Sequence, residues 1–139
     1  MLDNLNRQIC KIQGRLFELS FDKGYDSENF ITVFMKSEVA QNLDSEYNRM
    51  QWAGEEYILE ELEEQEKENL IKSEKIFDKE VLFWTGYLYR YWHYYKNQSS
   101  KKIVKIAPAK IVTRNYLMFH TLDVEKAIDN FIEMYSQNK

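Results

Sequence analysis

The amino-acid sequence predicts an all-α fold, a compact single-domain bundle of five to seven helices spanning residues 1–139. Apolar residues recur at helical spacing along most of the chain. One proline and four glycines in 139 residues leave little turn chemistry for a β fold. Ser and Asp stand just ahead of several apolar-periodic runs, where helix N-caps fall.

Leu5, Ile9, Ile12, Leu16 and Leu19 give a first amphipathic helix over about 3–22, stopped by Gly24. Asp26 or Ser27 caps a second, with Phe30, Val33 and Phe34 inward and an end near Lys36. Ser37 caps a short third with Val39 and Leu43. From Ser45 the positions Tyr47, Met50, Gly54, Tyr57, Ile58 and Leu62 keep a helical period. That segment ends in Glu55–Glu68, where eight of 14 residues are Glu, so its last turns must be solvated. Residues 69–77 read as a connection.

Asp78 caps a strongly aromatic helix, about 79–97. On a helical projection Val81, Trp84, Leu88, Tyr91, Trp92 and Tyr95 share one face, expected to be core. Gly86, Arg90, His93 and Asn97 fall opposite, flanked by Phe83, Tyr87 and Tyr94. Ser99 or Ser100 caps a short helix with Ile103 and Ile106, and Pro108 opens another covering Ala109–Arg114. The β-branched runs at 103–104 and 111–113 also fit a hairpin. Residues 115–122 read as irregular. Asp123 caps a closing helix with Val124, Ala127, Ile128, Phe131, Ile132 and Tyr135 inward.

A chain of this length buries roughly 68% of its unfolded surface, so the core needs neither metal nor disulfide. Cys10, the only cysteine, lies on the apolar stripe of the first helix and reads as a small buried hydrophobe. No cationic leader and no run near ~18 apolar residues is present, so the expectation is a cytoplasmic protein without a membrane partner.

Charge is segregated by position. Residues 1–80 sum to −9, 81–122 to +7 without one acidic residue, and 123–139 to −2. The cationic stretch also holds both histidines and eight aromatics between Phe83 and Tyr95. His93 and His120 lack companion ligands, so no metal is expected. No phosphate loop or nucleophile elbow is present, no cofactor is implied, and the chain does not read as an enzyme.

Phe83, Tyr87, Tyr89 and Tyr94 are too many rings to bury on one helix face. Amphipathic rings beside Arg90 and His93, with Gly86 leaving a notch for another backbone, have the composition of a protein interface hot spot. One reading is therefore a partner-binding surface of Phe83, Tyr87, Arg90, His93 and Tyr94, joined by Lys110 and Arg114. A second is a DNA-binding regulator in which residues 100–115 form a helix-turn-helix. Lys110, Thr113 and Arg114 would then face a groove, with Lys101, Lys102 and Lys105 on phosphates. Internal neutralisation by the Glu-rich helix is the third.

The stretches MQWAGEEY (50–57), FWTGYLYRYWH (83–93) and NYLMFHT (115–121) resemble a small family of low-GC Gram-positive bacteria without an established activity, and the likeness spans nearly the whole chain. Members are encoded beside ADP-ribosyltransferase-like proteins of toxin character. The resemblance implies an antitoxin of a toxin–antitoxin locus, with a toxin as partner protein. It carries over no catalytic residue.

Overall fold

Capping chemistry sets most helix starts in the computed structural model, which describes residues 2–45 and 49–138. Helix α1 (Asn4–Asp22) begins where Asp3 Oδ1 accepts from the Asn6 amide at 2.8 Å, and stops at Gly24 in the left-handed region at φ 74°. Asp26 and Ser37 cap α2 (Ser27–Lys36) and α3 (Glu38–Asp44) in the same way. Ser99 and Asp123 do so for α6 (Ser100–Ile106) and α9 (Val124–Gln137). Asp78 precedes α5 (Lys79–Lys96) but makes no side-chain cap bond.

The predicted all-α fold is observed. Seven helices have seven residues or more, two are shorter, and no strand occurs among the described residues. Two segments differ from expectation. The helix predicted from Ser45 does not run through: a 3-10 turn at Arg49–Trp52 precedes α4 (Glu55–Glu66), with Gly54 at its N-cap rather than facing inward, and Tyr57 is exposed. Tyr47 lies outside the described residues. Residues 100–114 form the two expected helices and not the alternative hairpin: α6 is followed by α7 (Ala109–Arg114). Within the segment expected to be irregular, Tyr116–Phe119 form a single turn, α8.

The core is built on the α1–α5 pair. Gln13 lies against Gly86 and Arg90, and Asp22 against Lys79, so the two helices run antiparallel. Glycines let them approach closely: a Cβ on Gly86 would stand 2.6 Å from the Gln13 carbonyl oxygen and 2.9 Å from the Phe17 ring. On other sides α5 meets α6, α7 and α9, and α2 and α3 close over α6. Phe17 sits edge-on to Phe30 and Phe34 at 5.9 and 5.6 Å, tying α1 to α2.

The 67–78 connection is a strap fixed to the start of α2. The Asp26 and Ser27 amides donate to the Ile71 and Lys75 carbonyls, the Ile71 amide donates to Asn29 Oδ1, and the Phe77 amide donates to Ser27 Oγ. Its backbone polar groups are thus satisfied without a helix.

Candidate functional site

The rotation of α5 decides which of the predicted site residues can meet a partner. Its buried positions are Leu82, Thr85, Gly86, Leu88, Tyr89, Arg90 and Trp92. The face expected to await a partner is therefore the one that packs on α1. The notch at Gly86 is filled by the backbone of this chain's own Gln13. Tyr89, counted among the surplus rings, is fully buried and donates to the Ala107 carbonyl at 2.6 Å.

Arg90 is sealed, which corrects its assignment to an open surface. Its Nε donates to Gln13 Oε1 at 2.7 Å, Nη1 to Asp44 Oδ1 at 2.7 Å and Nη2 to Ser100 Oγ at 3.1 Å. The Ser100 hydroxyl donates to Asp44 Oδ1 at 2.7 Å and its amide donates to Oδ2 at 2.8 Å. The buried Gln13 amide closes the circuit on the Gly86 carbonyl at 2.9 Å. One guanidinium thus joins α1, α3, α5 and α6, with its charge matched by one carboxylate. It is a structural cross-link, buried and with each of its three nitrogens bonded within the chain.

His93 and Tyr94 sit beside that network, in the wall of a cleft of about 570 Å³ shared with Asp44, Gln51, Trp52 and Asn97. The His93 side chain is only 12% exposed. Its Nδ1 lies 2.7 Å from the Gln98 carbonyl, which can only accept, so Nδ1 carries the proton and Nε2 is the acceptor of the neutral ring. Burial first, and then the Arg90 charge, hold the His93 pKa below its ordinary value. Burial pushes the Tyr94 hydroxyl up to about 12, and its oxygen is enclosed without a hydrogen-bond partner among the described residues.

The sign of the His93 effect follows from linkage. As pH falls, the unfolded chain takes up the imidazole proton near its ordinary pKa of about 6.5, before the folded chain does. The neutral ring's contribution is fully present above that pH and is lost below it, down to the folded-state pKa. Between pH 7.5 and 5.5, His93→Gln is expected to lose less thermal stability than the parent chain. Parallel melting curves check this; equal losses in both chains would show that His93 does not contribute.

Phe83 and Tyr87 part company from this cleft and line an open groove with Trp84, Tyr116 and His120, about 670 Å³ in volume. Phe83, Tyr87, Tyr91 and Tyr95, each four residues apart, stand in a ladder with ring centroids 6.2, 6.2 and 6.5 Å apart. Tyr116 meets Trp84 edge-on at 5.5 Å and stacks on His120 at 4.3 Å. On the same turn, Leu117 is 83% exposed and Met118 67% exposed. These bare apolar side chains belong to the turn that carries Tyr116, though neither lines the groove itself. Its rim is acidic: Glu18 and Glu80 form no ion pair among the described residues, whereas Lys79 lies 3.0 Å from Asp22 and over the Phe21 ring at 5.4 Å.

Lys110 and Arg114 are exposed on α7 and share a shallow depression with Thr113, as the DNA reading requires, but its far wall is Glu28 and Phe77. Lys101, Lys102 and Lys105 line a separate depression with Ile106 and Tyr135. None of these five cations forms an ion pair among the described residues.

Among the described residues no cluster of three His, Cys, Asp or Glu could hold a metal ion, and no helix is long and apolar enough to cross a membrane. Cys10 is buried as expected, and burial pushes its thiol up to about 12. Comparisons with protein-family models, with curated proteins and with solved structures give no match. The seven predicted site residues thus divide among the groove (Phe83, Tyr87), the cleft (His93, Tyr94), the core (Arg90) and α7 (Lys110, Arg114). Sequence reasoning missed Trp84, Tyr116 and His120 as one groove, and Leu117 and Met118 as bare side chains on the adjoining turn. The signal was the Tyr-Leu-Met-Phe run inside a stretch read as irregular, too apolar for a solvated loop.

Proposed function

We propose that the chain is a non-catalytic protein-binding module whose docking surface is the aromatic groove of α5 and α8 rather than the Arg90 side. The observation that carries this is the bare pair Leu117 and Met118 on the turn that also brings Tyr116 into a groove of half-buried rings. Exposed apolar side chains next to tyrosine and tryptophan have the composition of interface anchors. The polar groups that could serve chemistry are engaged internally: Arg90 by Asp44, Gln13 and Ser100, and His93 by Gln98. The resemblance gives the class of partner: the module is an antitoxin-like neutraliser of an ADP-ribosyltransferase-type toxin, acting by steric occlusion.

Leu117→Asp combined with Met118→Asp tests this reading. Both positions are solvent-exposed, so stability should change by less than about 0.5 kcal/mol per site. Affinity for the proposed ADP-ribosyltransferase-type partner is expected to fall at least tenfold, with loss of its suppression on co-expression. Unchanged affinity and suppression would count against the groove.

A DNA-binding regulator remains the second reading, favoured by five exposed cations without ion pairs on α6 and α7. Binding to DNA should weaken steeply with salt in proportion to the phosphates contacted. A packed protein interface should respond weakly.

A further inference from the structure

The groove lies within the chain's cationic stretch, yet its own charges are acidic. Phe83, Trp84, Tyr87 and Tyr116 supply ring faces, and Glu18 from α1 and Glu80 from the first turn of α5 stand on the rim. The one cation on that rim, Lys79, is already held by Asp22 and laid over Phe21. The cations of α6 and α7 line other depressions. Two carboxylates without an ion pair among the described residues therefore stand beside an aromatic surface whose one lining lysine, Lys79, is directed to Asp22.

Resting on the binding-module reading, we propose that the groove receives an apolar segment of the partner protein that carries a lysine or arginine, its cationic head placed between Glu18 and Glu80. Ring faces are electron-rich and attract an ammonium or guanidinium, and nearby carboxylates reinforce the attraction as water is displaced. The apolar flank of the same segment packs on Leu117 and the stem of the basic residue lies along the rings. The charge of the whole chain would not reveal this, because positional segregation places +7 in residues 81–122 while the rim carboxylates come from outside that range.

Two synthetic peptides with the same leucine-rich amphipathic centre, one flanked by lysines and one by glutamates, test the proposal on the full chain by fluorescence anisotropy. The lysine-flanked peptide is expected to bind at least tenfold more tightly than the glutamate-flanked one. In Glu18→Gln combined with Glu80→Gln, that preference should fall below threefold. Circular dichroism establishes that the double variant keeps its helices. A preference that survives in the double variant would assign the attraction to the Glu-rich α4 instead and overturn the proposal. Equal binding of both peptides, or binding of neither, would also overturn it. If the partner toxin still requires Leu117 and Met118 but ignores the Glu18/Glu80 change, the docking surface stands and only its charge preference fails.

Discussion

Asp44→Ala is expected to destabilise the fold by about 3–5 kcal/mol, the usual cost of stranding one member of a buried ion pair. Arg90 is wholly buried, and without Asp44 its guanidinium keeps only the neutral Gln13 and Ser100 as partners. Ser100 would lose the acceptor for both its hydroxyl and its amide at the start of α6. Arg90→Met should cost less than Asp44→Ala, because the remaining carboxylate keeps its bonds to Ser100 and its side chain is partly open to water. Adding Arg90→Met to Asp44→Ala should therefore recover part of the loss. Chemical denaturation of the two single variants and the double variant checks this through the coupling energy. Additive losses would mean that the pair does not act as a unit.

Gly86→Ala should be destabilising although alanine favours helix by about 1 kcal/mol over glycine. The new Cβ would lie 2.6 Å from a backbone oxygen of α1 and 2.9 Å from the Phe17 ring, so the two helices must separate. Overpacking of this kind costs about 1–3 kcal/mol, and separation also weakens the Gln13 bonds to Gly86 and Arg90. Gly14 offers the contrast on the same interface. A Cβ there meets the Phe83 ring at 2.7 Å, but that ring borders the open groove and can turn aside. Gly14→Ala should accordingly be milder. Denaturant midpoints measured side by side check the ranking, and a Gly86→Ala chain as stable as the parent would contradict the close approach.

The long amphipathic helices were legible because burial on one side writes a period into the sequence: Ile9, Leu16 and Phe17 on α1, and Ala127, Ile128 and Phe131 on α9, are all core. The caps expected at Asp26, Ser37 and Asp123 set the starts of α2, α3 and α9. The setting of α5 was not legible. With rings on every side, apolar periodicity does not distinguish the face on α1 from the face on α9, and an arginine reads as solvent-facing unless its partners are known. Those partners, Gln13, Asp44 and Ser100, lie 77, 46 and 10 residues away. Gly86 carried the useful clue, a close backbone approach, but a glycine does not say whose backbone approaches. The break before α4 was hidden because Met50, Gly54 and Ile58 keep helical spacing across it.

Of the candidate site, Phe83 and Tyr87 were found by their surplus of rings, while Glu18 and Tyr116 reach the groove only through the packing of α1 on α5 and the edge-on contact of Tyr116 with Trp84.

The most direct measurement is binding of the proposed partner, an ADP-ribosyltransferase-type toxin, to three folded variants, read as dissociation constants on one surface. These are Tyr87→Ala with Leu117→Asp in the groove, Trp52→Ala at the His93 cleft, and Lys102→Glu with Lys105→Glu on α6. The account predicts at least tenfold weaker binding for the groove variant and less than threefold change for the other two. Full affinity in the groove variant, with loss in the cleft or the α6 variant, would contradict it.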